Sequence, residues 1–383
     1  MERSGLFMTE LQRHLSPEAA KRFAEENKQV YAYYSKLYGW WKPELERHLQ
    51  VINDTDWKAS DKAEISKEIT KIIQRDGFVN PDYLTPAYKW NWCAARLRDG
   101  LFKDWDGFEF RSDWAVSFRG IDGTKSKVPK WDGQPVDHIV VLGEQGLGDE
   151  ILFLSALPEL IVRLGTKAVE LQCYPRLKSI VERSFKIKVT DRKKLSEVTE
   201  GDAMVALSDL FPFYRRDVSH FPRKPYLKPD PIKVEYWTEW LKQFGDKEKI
   251  GIAWYSRHGW VNPADLVTSK DAVYFDLQYD YEGKQSFGEK VPFDTKTDLE
   301  NLFAFVAALD RVVTVTQTLA HVCGSQGKVC DAIIPPKNGE VSWFNWYNSC
   351  HVLGNSETWP HLLYSSVTVY GTPESFKKHT SKV

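Results

Sequence analysis

The stretch Asp137-His-Ile-Val-Val-Leu-Gly-Glu-Gln-Gly-Leu-Gly-Asp-Glu-Ile-Leu-Phe153 decides the fold, because an apolar run passes through a glycine-rich turn straight into an amphipathic segment. A buried strand leading by a tight turn into a helix is the unit from which parallel α/β sheets are built. Gly143, Gly146 and Gly148 let the backbone turn sharply and let a ligand approach the main chain. Asp149 falls at the mouth of the turn, where the first helical N–H groups have no intrahelical partner and point outward. This arrangement suits a phosphate or sugar-phosphate pocket at the carboxyl end of a strand; a tight strand-to-helix turn without a ligand has the same spacing. The glycines read G-x-x-G-x-G rather than the dinucleotide order G-x-G-x-x-G, and no P-loop lysine follows.

Short apolar runs at 136–142, 168–173, 187–190 and 203–207 alternate with amphipathic segments, which predicts a parallel sheet covered on both faces. The proline-rich stretch Phe221-Pro-Arg-Lys-Pro-Tyr-Leu-Lys-Pro-Asp-Pro231 reads as a linker. Beyond it a second alternating block begins with a helix around Tyr236–Phe244. Strands are expected at Lys249–Trp254, Ala272–Leu277, Arg311–Val315 and Asp331–Ile334, with a helix at Leu299–Leu309. The first 110 or so residues carry helical patterns, at Ser16–Tyr33, Ile65–Ile73 and Pro86–Arg98. The expected organisation is a helical N-terminal region (1–115), a first α/β domain (116–230) and a second (231–383), with ligands bound in the cleft between the two doubly wound halves.

A chain of 383 residues is too long for one ordinary core, and 42% hydrophobic with 27% charged residues is a globular composition. With 52 basic against 53 acidic residues there is no global field drawing the protein to nucleic acid or an anionic membrane. Arg215, Arg216, Arg223 and Lys224 are candidates for a local basic patch or for solvated loop charges. Five cysteines without a C-x-x-C pair indicate neither a disulfide framework nor a zinc site, so a reducing compartment is expected. No apolar stretch approaches the roughly 18 residues a spanning helix needs, so membrane insertion is not expected and a cytoplasmic location is.

A resemblance runs over residues 90–370. It is carried by Leu97-Arg-Asp-Gly-Leu-Phe-Lys-Asp-Trp-Asp-Gly-Phe-Glu-Phe-Arg111, Pro129-Lys-Trp-Asp-Gly133, Glu144-Gln-Gly-Leu-Gly-Asp149, Pro175-Arg-Leu177 and Pro225-Tyr-Leu227. It continues in Ile250-Gly-Ile-Ala-Trp254, Leu277-Gln278, Ala320-His321, Gly327-Lys328, Trp343-x-x-Trp346 and Trp359-Pro360. With these pieces the chain resembles GT-B glycosyltransferases of the kind associated with tetratricopeptide repeats in bacteria and phages, distantly similar to heptosyltransferases and protein O-GlcNAc transferase. The resemblance implies two facing Rossmann-like domains and transfer of a sugar from a nucleotide diphosphate-sugar co-substrate to an acceptor hydroxyl, with inversion. The acceptor would be a protein, a glycan or a hydroxymethylated pyrimidine of phage DNA, in a bacterial cell or a phage-infected host. A non-catalytic sugar- or nucleotide-binding scaffold of the same fold is the alternative. Thr316-Gln317 stands where relatives carry Asp-Thr, so a contact between a carboxylate and the donor sugar is missing or replaced.

Glycosyl transfer needs a base for the acceptor hydroxyl and neutralisation of the departing diphosphate. Asp149 is the candidate base by analogy with the matching heptosyltransferase position; its alternative role is a helix cap. Glu144 is the second candidate base, or a carboxylate that orders the glycine turn formed with Gly146 and Gly148. Thr318-Leu-Ala-His321 opens a helix whose free N–H groups would face the diphosphate, with His321 adding a hydrogen bond or a positive charge. A buried histidine satisfied by the backbone is the other reading of His321. Trp254, Arg257, Gln278, Thr316 and Gln317 complete the expected donor site, with Arg257 as a cation and Gln278 reading base or ribose. The D-x-D strings Asp104-Trp-Asp106 and Asp54-Thr-Asp56 lie outside the doubly wound halves, so no essential metal and no bound cofactor are expected.

Overall fold

The computed structural model describes residues 128–144, 146–192, 200–256, 259–279, 286–335 and 357–380, together with Cys93, Leu97, Phe102, Trp105 and Phe108. The chain divides into two compact units, Met1–Arg111 and Ser112–Val383. In the first, Cys93 and Leu97 are helical and fully buried, and Trp105 meets Phe108 edge to face at 4.8 Å. The helices expected at 16–33 and 65–73, the aspartates of both D-x-D strings and Trp343-x-x-Trp346 lie outside the described residues.

The second unit is mixed α/β with two separate, largely parallel sheets. The first block runs β1 (Ile139–Leu142), α1 (Leu147–Phe153), α2 (Leu157–Leu164), β2 (Val169–Cys173), α3 (Lys178–Phe185), β3 (Lys188–Asp191), β4 (Ala203–Ala206) and α4 (Phe211–Tyr214). Its strands order as β3-β2-β1-β4, all parallel, so the chain reverses its direction of growth between β1 and β4. All four residues of β1 and all five of β2 are buried, which explains why they read as unbroken apolar runs rather than as alternation.

The second block runs α5 (Pro231–Leu241), β5 (Lys249–Ala253), the hairpin β6 (Tyr255–Ser256) and β7 (Gly259–Trp260), β8 (Val273–Asp276) and β9 (Glu289–Lys290). It continues with α6 (Leu299–Ala308), β10 (Arg311–Val315), α7 (Thr318–Gln326), β11 (Cys330–Ile333), β12 (Thr358–Pro360), β13 (Val367–Tyr370) and α8 (Pro373–Thr380). The order is β12-β13-β11-β10-β5-β8-β9, parallel except for the antiparallel β12, and the reversal falls between β5 and β10. Ile250, Ile252, Val313, Val315 and Ile333 form its core with Trp254, Leu266 and Phe376. α5 starts five residues earlier than the apolar pattern suggests, because Asp230 caps it by accepting from Ile232 N at 2.9 Å and Pro231 supplies a first-turn residue that needs no N–H partner.

One expectation is corrected here. Arg215 is not part of a basic patch: it is fully buried, bonds Glu159 Oε1 at 2.6 Å and the Ser155 carbonyl at 2.8 Å, and lies over Phe211. Arg216, just past the end of α4, is exposed and donates to the Pro212 carbonyl at 2.8 Å, as a solvated loop charge does.

Candidate active site at the two strand reversals

The glycine turn is held by carboxylates that tie it to every strand of the first sheet. Glu144, directly after β1, is buried and accepts from Ser208 N just past β4 at 3.0 Å, so it bridges the two strands at the reversal. Glu150, in the first turn of α1, is fully buried. It accepts from Glu144 N at 2.8 Å and from Tyr174 N, after β2, at 2.7 Å. Arg192, following β3, makes an ion pair with Glu150, donates to the Glu144 carbonyl, and stacks on the Tyr174 ring at 3.4 Å. Burial pushes the Glu150 carboxyl above its ordinary value, and the Arg192 guanidinium with the Tyr174 and Glu144 N–H groups pulls it back. Gly143 is required here: a Cβ would overlap the Glu150 carboxylate, and its N–H donates to the Gln172 carbonyl at 2.7 Å. Asp149 is partly exposed, and its carboxylate folds back over Gly146, where a Cβ would sit 2.7 Å from Oδ2.

At the second reversal the backbone of Trp254 and Tyr255 leaves β5 beside Thr316 and Gln317 at the end of β10. Trp254 is buried with its ring 6.4 Å from Phe287. Gln278 does not read a ligand with its amide in this arrangement. Oε1 accepts from Trp254 N (3.0 Å) and Tyr255 N (2.9 Å), while Nε2 donates to the Tyr255 and Tyr279 carbonyls (3.3 and 2.8 Å). All four positions of the amide are spent on fixing the loop after β5. Thr316 is buried and its N–H continues the sheet to Ile333 O at 2.9 Å. Gln317 is the extended N-cap of α7; it is more than nine-tenths buried and donates from Nε2 to Thr314 Oγ1 at 3.0 Å. Arg257 lies outside the described residues.

The two turns meet. A Cβ on Gly148 of α1 would lie 3.1 Å from His321 Cδ2 and 3.2 Å from Thr318 Oγ1, so the first turn of α7 packs directly on the glycine turn. His321 is buried, its Nδ1 is 3.1 Å from the Tyr364 hydroxyl, and Tyr364 also stacks on His361 at 4.5 Å. Burial pushes the His321 imidazole down to about 3, which leaves the ring uncharged at neutral pH. Among the described residues no group of three or more His, Cys, Asp or Glu is placed to hold a metal ion, and no helix is long and apolar enough to cross a membrane.

Sequence reasoning missed Glu150, Arg192, Tyr226 and Tyr364. The local signal was a glutamate beginning the apolar face Ile151-Leu152-Phe153; each of these residues also has a partner far along the chain, from 24 positions for Glu150 and Tyr174 to 138 for Tyr226 and Tyr364.

No family profile matches the chain. The chain is 28% identical over 306 residues to Protein FlbA of Caulobacter vibrioides, a match covering 67% of this chain and 50% of that protein, so it spans about half the length of the curated relative it matches. Among solved structures it is similar to a glycosyl transferase of family 9 from Veillonella parvula, with 14% identity, a TM-score of 0.41, and coverage of 54% of this chain and 83% of that one. It is also similar to the ADP-heptose LPS heptosyltransferase II of E. coli, with 12% identity, a TM-score of 0.42, and coverage of 63% and 96%.

Proposed function

We propose that the chain is a GT-B-type glycosyltransferase that moves a sugar from a nucleotide diphosphate-sugar to an acceptor hydroxyl with inversion. The observation that carries this reading is the approach of Gly148 to Thr318 and His321, which brings the strand reversals of two separate α/β sheets to one place. Ligands of open α/β sheets bind at such reversals, outside the carboxyl ends of the strands. In this reading the N–H groups of the first turn of α7 meet the diphosphate and stabilise the charge that develops on it as the glycosidic bond breaks. Asp149 takes the proton of the acceptor hydroxyl as that oxygen attacks the anomeric carbon. Glu144 is too deeply committed to Ser208 N to be the first choice and acts by shaping the turn. The acceptor is a hydroxyl of a protein, a glycan or a hydroxymethylated pyrimidine, and the near-balance of charge gives DNA no general attraction.

A non-catalytic nucleotide-sugar scaffold is the second reading, favoured by Thr316-Gln317 in place of Asp-Thr. Incubating the protein with a panel of UDP-, GDP-, ADP- and TDP-sugars and measuring release of free sugar separates the two. A glycosyltransferase leaks some sugar to water. Stabilisation by a nucleotide without release supports the scaffold, and neither effect with any of the panel overturns both.

A further inference from the structure

The linker carries a charge that the protein does not balance. Among the described residues every other arginine donates to an acceptor: Arg183, Arg192, Arg215 and Arg311 to carboxylates, and Arg163, Arg176 and Arg216 to backbone carbonyls. Arg223 is half-buried, yet it has no acceptor among those residues, and its Nε is covered without a hydrogen-bond partner. Taking part of a guanidinium out of water with nothing to pair it is costly. The backbone adds to that cost. At φ 51° Arg223 is in the left-handed region, where the Cβ of an L-residue crowds the following carbonyl. Lys186 shares this conformation among the described residues, but it closes α3, where a left-handed residue is a usual stop. Arg223 lies in the linker beyond the end of any helix. Backbone strain and an unpaired charge at one such residue are the marks of a binding position, since neither helps the fold.

The chain is anchored on both sides of Arg223, so the guanidinium is presented from a fixed place. Phe221 is buried with its ring 6.2 Å from Phe211. Pro225 lies against Gly327, where a Cβ would come 2.6 Å from Cγ, and Tyr226 N and Leu227 N both donate to the Ser325 carbonyl. These contacts are at the last turn of α7, whereas the glycine turn packs on its first turn at Thr318. Arg223 is therefore tied to the end of α7 opposite the candidate active site. Burial, with the charges of His321 and Arg223, holds the His361 imidazole well below its ordinary value, so this neighbour is uncharged at neutral pH and does not repel an anion. With Nε covered, the edge left to a ligand is the pair of Nη groups, whose parallel N–H bonds match two oxygens of one carboxylate or phosphate. We propose that Arg223 anchors an oxoanion site in the linker, at the far end of α7 from the glycine turn, which takes the carboxylate or phosphate group of a ligand between its two Nη atoms. The site is independent of the glycosyl transfer proposed above.

The test is urea unfolding of the full chain as wild type, Arg223→Gln and Arg223→Gly, with sodium chloride replaced stepwise by sodium phosphate or sodium acetate at constant ionic strength and pH. Glutamine keeps the strained backbone and removes the charge; glycine removes both. In chloride Arg223→Gly should unfold at a urea concentration no lower than wild type, because a left-handed backbone suits glycine and no protein contact is lost. A lower midpoint there would mean that the fold itself holds Arg223, and it overturns the site. Phosphate or acetate should raise the wild-type midpoint beyond that of both variants, as an anion that binds only the folded state must do. The general stabilisation that phosphate gives to folded proteins falls on all three alike and cancels in the comparison. A wild-type gain with both anions identifies a site open to carboxylates, and a gain with phosphate alone identifies one for a phosphate group. Equal responses of the three proteins to both anions overturn the proposal.

Discussion

Asp149 lies on the glycine turn and His321 packs on that turn at Gly148; the proposed reaction gives the first a proton transfer, and burial keeps the second neutral. Asp149→Asn removes the base with little change of shape, so turnover on an identified donor and acceptor should fall roughly 10²- to 10⁴-fold while donor affinity is kept. Measuring rate and donor affinity side by side decides this: near-full turnover with only a lower melting temperature would make Asp149 a structural residue of the turn. His321 leads to a prediction about pH. Its value in the folded chain is depressed to about 3 against an ordinary 6.5, so between these limits the unfolded state binds the extra proton and the fold does not. The stability this contributes is complete above about pH 6.5 and is lost as pH falls toward 3, at about 1.4 kcal/mol per pH unit for one such group. His361, buried and also held well below its ordinary value, adds a slope of the same sign. Glu150, held above its ordinary value, works in the opposite sense, contributing stability below about 4.5 that is lost as pH rises. Comparing wild type with His321→Gln isolates the histidine: denaturant melts should converge as pH falls from 6.5 to 4, and parallel curves would show that His321 is charged in the folded state.

At the level of elements, the strands were legible because β1, β2, β5 and β10 are nearly all buried and bounded by glycine, proline or charge, so each appears as a short apolar run. β12 and β13 were not. Proline at 360 demotes a strand when read locally, and it is tolerated here because β12 is the antiparallel edge of the sheet, where a missing N–H breaks no interior ladder. The segment between them matters for α7: Tyr364 lies against the helix at Gly324, where an added Cβ would overlap the ring. Tyr364 is buried among His361, His321 and Tyr226, so its ring can shift only by displacing them. Gly324→Ala should therefore destabilise by about 1–3 kcal/mol through overpacking, although alanine is the better helix former by about 1 kcal/mol. It should also disturb the His321 nitrogen signals. Chemical denaturation measures the first effect, and an unchanged or raised midpoint would mean that the ring does not rest on the helix. The glycine turn was legible as a motif for the same local reason, whereas its supports, Glu150 and Arg192, were not, since nothing near Arg192 in the chain marks it as reaching back to α1.

For the second unit as a whole, the two sheets are joined by the 221–231 linker and, besides the packing of α7 on the glycine turn, are held by two kinds of contact. One is a polar clasp: Arg183 on α3 bonds both oxygens of Glu300 on α6 at 2.8 and 3.0 Å and the Lys228 carbonyl at 3.1 Å, and Ser184 Oγ accepts from Lys228 N at 2.9 Å. The other is the interior contact in which Tyr226 N and Leu227 N both donate to Ser325 O, at 2.8 and 3.0 Å, beside the Tyr226–Tyr364 pair. Linker composition was legible; that the linker is pinned at both faces was not, because its partners come from helices on either side of it in sequence. The two contacts should respond differently to salt. Arg183 and Glu300 keep about a fifth of their side-chain surface in water, so screening at 1 M salt, where the Debye length is roughly 3 Å, reaches them and not the Tyr226 hydroxyl bonded to Ile151. Hydrogen exchange should thus show the Lys228 amide exchanging faster in high salt and in Arg183→Ala, while the Tyr226 and Leu227 amides keep their protection. Tyr226→Phe should do the reverse, loosening residues 226 and 227 without any added salt dependence. If the three amides instead exchange at one rate under every condition, the clasp and the interior contact open as a single unit, and the cleft can widen only when the buried hydrogen-bond chain to His321 breaks with it.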